Sequence, residues 1–221
     1  MKYDNCYQLI GNTPLIKINS LSKQYNCNIY LKLEKYNFTG SSKDRAVKNM
    51  ILNAIKDNKI NANTTIIEAS SGNTGIALAG ICASLKLKCI VVMNDNVSKE
   101  RIKLLKMLGS KVILIPSVQK MKGCINKVNE LLKSINNSYS LSQFNNINNR
   151  LAHYQYTAKE IVNDLNEIDG FFVVLEHMVP CKEFQCIWKN LTTKWKLLKQ
   201  DLFIKITELP ALFLMLNQIN Y

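Results

Sequence analysis

Short apolar runs alternate with helical segments from Lys43 to Leu175, and this alternation constrains the fold of the chain more than any other feature. From Lys43, the residues Ala46, Val47, Met50, Ile51, Ala54 and Ile55 recur at helical spacing, after which TTIIEAS reads as a short buried strand. GIALAGICASLK then reads as a helix and KCIVVMN as a strand. SKERIKLLKML is a helix with Ser98 as its N-cap, and KVILIP is another strand. A helix near CINKVNELL, a strand near YSLSQF, a helix from Asn149 to Leu165 and a strand GFFVVL complete the series. Strands and helices in strict alternation predict an α/β fold with parallel sheets flanked by helices. After Leu175 the series stops, and the following stretch predicts an amphipathic helix with Phe184, Ile187, Trp188, Leu191, Trp195 and Leu198 on one side.

The length of 221 residues suits one large domain or two small ones. The opening MKYDNCYQLI has no apolar core of a signal peptide, and no run reaches the roughly 18 apolar residues of a membrane span. A cytoplasmic chain without a membrane partner is expected. The net charge of +13 raises the question of nucleic acid, but 26 of the 29 basic residues are lysine, spread evenly. Nucleic-acid binders lean on arginine forks, so no nucleic-acid partner is expected. Seven cysteines without a C-x-x-C pair read as buried free thiols. His153 and His177 are too few and too isolated for a structural zinc site, so no metal is expected.

Two stretches carry chemistry. In YNFTGSSKDR, Lys43 stands between small hydroxyl residues and an Asp-Arg pair. A lysine on a helix face is ordinarily just solvated, and only its neighbours argue otherwise. In EASSGNTGIALA, a strand passes into a helix through Ser70, Ser71, Gly72, Asn73, Thr74 and Gly75. That turn puts small residues and backbone N–H groups at a helix N-terminus, an arrangement suited to an anion, although a well-capped turn needs no ligand at all.

These stretches occur in one order with others: IGNTPL (10–15), KLEKYNFTGSSKDR (32–45), SSGNTG (70–75), SKER (98–101), and QF followed by HYQYTAKEI (143–161). Together they closely resemble the cysteine synthase and cystathionine β-synthase family of fold-type II pyridoxal-phosphate enzymes, over about residues 5–174. The resemblance implies a tryptophan synthase β-like fold with an incomplete second domain. The smaller domain is expected roughly at 40–145, its flanking segments belonging to the larger one. Lys43 matches the lysine that carries pyridoxal 5'-phosphate as a Schiff base and then removes the substrate α-proton. Burial beside small residues disfavours the cation and frees the amine for that role. Asn73 matches the amide beside the cofactor's 3-hydroxyl, and Ser70, Ser71, Thr74 and Gln143 match positions that grip the substrate carboxylate. KMKGC (120–124) matches a substrate-side loop.

By the same resemblance, the reaction is a β-replacement in cysteine biosynthesis. A small amino-acid substrate, O-acetylserine, loses acetate, and sulfide or a related thiol takes its place. A homodimer is implied for the complete enzyme. Alternatives stay open: a cystathionine β-synthase type using serine, O-acetylserine or O-phosphoserine with another thiol, or an inactive fragment or binding protein anchored by Trp188 and Trp195.

Phe38, Ser42 and Asn94 depart from the family pattern without removing a group that the chemistry needs. The larger departure follows Val174, where the family continues into a glycine-rich turn for the cofactor phosphate and this chain reads LEHMVPCKEFQ. Joining the third base of each codon to the first two of the next forces glycine at Met178-Val179 and glutamate at Trp188-Lys189. Permitted codons extend this to a glycine-rich turn and a family-like helix in register. Residues 175–221 are therefore read as a non-family, out-of-frame tail of a truncated enzyme, which predicts doubtful activity for the chain and a GFFVVL strand without its proper neighbours.

Overall fold

The structure, a computed structural model, describes residues 2–165, 168, 170–173 and 213–217. It divides into two compact units, one of Met1–Gly11 with Asn37–Ala152, the other of Asn12–Tyr36 with the described residues of His153–Tyr221.

The first unit is built on a parallel sheet. Its strands are β3 (Thr65–Ala69), β4 (Lys88–Asn94), β5 (Lys111–Ile115) and β6 (Ser138–Tyr139), in spatial order β5-β4-β3-β6. Thr65 faces Lys88 and Ile66 faces Cys89 in the β3–β4 register, and Ile90 faces Lys111 between β4 and β5. Five helices belong to this unit: α2 (Lys43–Lys56), α3 (Asn73–Ser84), α4 (Lys99–Met107), α5 (Lys120–Ser134) and α6 (Ile147–Ala152). All five residues of β3 are buried, as expected where helices cover both faces of a sheet.

Successive side chains of a strand point to opposite faces, and here they divide the core in two. Ile66, Val91 and Met93 pack with Val47, Met50 and Ile51 of α2, Ala77, Leu78 and Ile81 of α3, and Leu105 of α4. Ile67, Ala69, Ile90 and Val92 pack with Cys124 and Val128 of α5 on the other face. Each fully buried side chain of this size is worth about 1.5–3 kcal/mol. Ser98 caps α4 as the sequence indicates, its Oγ accepting from the Arg101 N–H at 3.4 Å.

The second unit differs in kind. Its sheet joins β1 (Leu15–Lys17), β2 (Asn28–Lys32), β7 (Gly170–Val173) and β8 (Phe213–Asn217) in the order β1-β2-β8-β7, every pair antiparallel. The strand–helix alternation that predicts parallel pairing does not govern these segments. Only α1 (Asn19–Tyr25) separates β1 from β2, and the two strands run antiparallel. Lys32, 1% exposed, donates to the Thr13 carbonyl at 2.6 Å and pairs with Glu160 at 3.0 Å on α7 (Ala158–Asp164). Glu160 also accepts from the Asn12 N–H, and Thr13 Oγ1 donates to Glu34 at 2.7 Å, so the IGNTPL motif is anchored by buried charge.

Three expectations are corrected. The helix anticipated over 149–165 is interrupted between α6 and α7 by a widened π turn, His153–Thr157, in which His153 Nδ1 lies 3.1 Å from Thr157 Oγ1. The GFFVVL strand, expected without its proper neighbours, has its β7 part paired to β8 of the tail, which pairs in turn with β2. None of the described cysteines forms a disulfide, but Cys6 is exposed and Cys27 half-buried, so of the described cysteines Cys82, Cys89 and Cys124 are the buried thiols anticipated. The amphipathic helix anticipated beyond Leu175, with Trp188 and Trp195, lies outside the described residues.

Candidate active site

A parallel sheet offers a ligand crevice at the carboxyl ends of its strands, where the strand order reverses. In the order β5-β4-β3-β6 that reversal falls between β3 and β6, because the chain leaves β3 towards β4 and returns to the other side of β3 at β6. Residues 70–75 leave the carboxyl end of β3 directly. Ser70 N–H still donates to the Val92 carbonyl at 3.0 Å, as a last rung of the sheet, and the chain then turns into α3 at Asn73.

The turn is held from within. Ser70, 4% exposed, accepts the Gly75 N–H at 2.9 Å and the Gly72 N–H at 3.4 Å on its Oγ. Gly75 permits this closeness, since a Cβ there would stand 3.2 Å from Val91 Cγ1 and 3.3 Å from the Ser70 carbonyl oxygen. Gly72 has nothing within 4 Å of where a Cβ would stand. Ser71 and Asn73 are half-buried, while Thr74 is buried.

Two other segments join the turn. Gln143, buried, donates from Nε2 to the Ala69 carbonyl at 3.3 Å, and its own carbonyl accepts from Asn149 Nδ2 at 2.8 Å. Arg101 reaches from the first turn of α4 and donates from Nη1 to the Ser71 carbonyl at 2.7 Å. Hydrogen bonds therefore bring Ser70, Ser71 and Gln143 to the end of β3. Lys43 opens α2 and Asn73 opens α3, and these two helices share the core on one face of the sheet.

Lys43 is half-buried rather than enclosed, although Ser41, Ser42, Asp44 and Arg45 around it are buried. Its N–H donates to Ser41 Oγ at 3.3 Å, and the Asp44 carboxylate accepts from both the Thr39 N–H, at 2.6 Å, and the Thr39 hydroxyl, which closes the loop before α2. Phe38 and Thr39 lie where a Cβ on Gly80 of α3 would stand, so the departure at Phe38 is accommodated by a glycine. Asn94, the third departure, donates to the Lys120 carbonyl at 3.2 Å.

Sequence reasoning missed two features of this site. Nothing in the SKER stretch signals that Arg101 bonds a residue 30 positions away. Glu68, buried in β3, carries a carboxyl pushed above its ordinary range, chiefly by burial, against the opposing hydrogen bonds from the Ser140 hydroxyl and the Gln143, Ser142 and Leu141 backbone. An acidic residue in an apolar run was the available signal.

The residue types fit a pyridoxal-type cofactor and its substrate: an amine at Lys43, an amide at Asn73 and a hydroxyl-lined turn with open space over Gly72 are chemically suited to an aldehyde, a ring hydroxyl and a carboxylate. Residues 7–177 match the family model described as pyridoxal-phosphate dependent enzyme. The chain belongs to this family.

Among members of the family, the chain is 46% identical over 170 residues to cysteine synthase B of Campylobacter jejuni, covering 76% of this chain and 56% of that protein. A hydrogen sulfide-producing enzyme from Fusobacterium nucleatum has a similar structure, with a TM-score of 0.73 at 45% identity, covering 76% of this chain and 55% of that one. An O-acetylserine dependent cystathionine beta-synthase from Helicobacter pylori gives 0.68 at 40% identity, covering 75% and 55%. The chain spans about half the length of the relatives it matches. Among the described residues, no helix is long and apolar enough to cross a membrane.

Proposed function

We propose that this chain carries the amine and the carboxylate-gripping turn of a cysteine synthase-type β-replacement enzyme, acting in the cytoplasm on O-acetylserine and sulfide or a related thiol. The observation that carries the reading is the convergence of Ser70, Ser71 and Gln143 on the carboxyl end of β3 by the bonds to Gly75, Arg101 and Ala69. Ser71, Thr74 and the N–H groups at the start of α3 orient the substrate carboxylate, with Ser70 and Gln143 fixing the shape of that cradle. Lys43 would hold the cofactor at its aldehyde carbon and its Nζ would serve as the base for the α-proton, and Asn73 would hold the ring hydroxyl. Pyridoxal phosphate, when bound, supplies the electron sink that makes the α-proton acidic.

The sequence after Val174 bears on affinity. Charge-assisted hydrogen bonds are worth about 1.5–3 kcal/mol each, so a chain reading LEHMVP in place of a glycine-rich phosphate turn retains the cofactor at least a thousandfold more weakly. Residues 175–221 are proposed to be an out-of-frame tail, and the complete enzyme a homodimer. The likeness to the Helicobacter pylori enzyme supports a second reading, in which a larger thiol replaces sulfide at the same turn.

The test is product analysis on two proteins. The 221-residue chain with added cofactor, O-acetylserine and sulfide is expected to yield little cysteine. A version shifted by one base near codon 175 is expected to gain cofactor absorbance and turnover together. Tight stoichiometric cofactor and ordinary turnover in the 221-residue chain would refute the proposal for the tail, as would a stop codon soon after codon 175 in the shifted frame. A shifted version that gains the absorbance but forms no β-replacement product would refute the assigned reaction.

A further inference from the structure

We infer that Arg101 is a positioning residue for the carboxylate-gripping turn, an inference that rests on the function proposed above. A peptide group is planar, so fixing its oxygen fixes the direction of its N–H. The Ser71–Gly72 peptide is fixed at both ends. Its carbonyl accepts from Arg101 Nη1 at 2.7 Å and its N–H donates to Ser70 Oγ at 3.4 Å. The first of these bonds is the shorter and is charge-assisted.

Nothing else on this peptide does the same work. Gly72 has no side chain to pack, and the space where one would stand is empty to 4 Å. Its φ of −121° and ψ of −154° are extended values available to any residue, so local backbone preference does not select the orientation either. Arg101 is itself held, since its own N–H donates to the Ser98 cap and its side chain is half-buried. The path from the SKER stretch to the turn therefore runs from the Ser98 cap, through the first turn of α4, to the Ser71 carbonyl. Without the guanidinium the Ser71–Gly72 peptide keeps only the longer bond from its N–H to Ser70 Oγ, and the N–H groups beside Ser71 and Asn73 are no longer held as a set.

The experiment uses the 221-residue protein and its Arg101→Ala, Arg101→Met and Arg101→Lys variants, with amide hydrogen exchange as the first readout and titration with L-serine as the second. Arg101→Ala and Arg101→Met are expected to speed exchange at Gly72 about tenfold or more while Val91 and Val92 in β4 stay protected, with Arg101→Lys falling between. L-serine is expected to bind about tenfold more weakly to Arg101→Ala, with Arg101→Lys recovering part of the loss. Unchanged exchange at Gly72, or equal loss of protection at Gly72 and β4 in the methionine variant that keeps the aliphatic packing, overturns the inference. Absence of L-serine binding to the unsubstituted protein counts against the proposed function instead, and the exchange at Gly72 still decides the role of Arg101.

Discussion

The Ser70 hydroxyl accepts the Gly75 N–H at 2.9 Å from across the turn between β3 and α3, so this serine shapes the turn that the family resemblance casts as a carboxylate grip. Ser71, next to it and half-buried, has its carbonyl held from outside by Arg101. Two adjacent serines are thus held in different ways, Ser70 through its hydroxyl within the turn and Ser71 through its carbonyl from α4.

Ser70→Ala is expected to lower the unfolding free energy by about 1 kcal/mol, the ordinary cost of losing a cap-like acceptor at a helix start. Urea denaturation of Ser70→Ala beside Ser71→Ala checks it. The alanine at 71 should leave the midpoint within experimental scatter, and a larger loss at 71 than at 70 would reverse the assignment.

Lys43 is expected to be the site of the pyridoxal phosphate adduct. After borohydride reduction of the protein incubated with cofactor, peptide mapping should place the modification at Lys43 ahead of the other lysines, and Lys43→Ala should lose it. Buried Lys32 is no competitor, because its ammonium is engaged by Glu160 and the Thr13 carbonyl. Label spread evenly over exposed lysines would count against the assignment.

Glu68 predicts a dependence of stability on pH. Burial raises its folded-state pKa above the ordinary carboxyl value of 4.5, so the folded state binds this proton more tightly than the unfolded state does. Stability from this group is fully present below pH 4.5 and is lost as pH rises from there through the raised value. Glu68→Gln should flatten that decline while keeping an acceptor for Ser140. Urea midpoints measured across this range for both proteins would show the difference, and parallel curves would exclude it.

Lys120 opens α5 at φ 52° and ψ −162°, a backbone region essentially reserved for glycine, with its carbonyl held by Asn94. Lys120→Gly is therefore expected to raise stability by about 1 kcal/mol. Thermal unfolding measures it, and a lower midpoint would place the strain elsewhere.

The alternation of apolar runs and helical periods was enough to locate the strands of the parallel sheet, because a strand buried on both faces reads as a mostly apolar run, as β3 does apart from Thr65 and Glu68 and β4 does from Cys89 to Met93. The caps were legible for the same local reason, Ser98 being an example. The motif order was enough to bring the family and its residues into view. Pairing direction outside the parallel sheet was not legible, because a run such as NIYLK pairs equally well with a neighbour of either sense, and β8 was assigned no place at all.

What only the tertiary structure decided is which polar groups meet. Arg101 and Ser71 are 30 residues apart, Gln143 and Ala69 are 74 apart, and Lys32 and Glu160 belong to opposite ends of the matched stretch. Local sequence sets helix, strand and cap through forces that act within a few residues. A hydrogen bond between distant side chains forms only after the sheet has set its strand order, so its partners are a consequence of packing and carry no local signature.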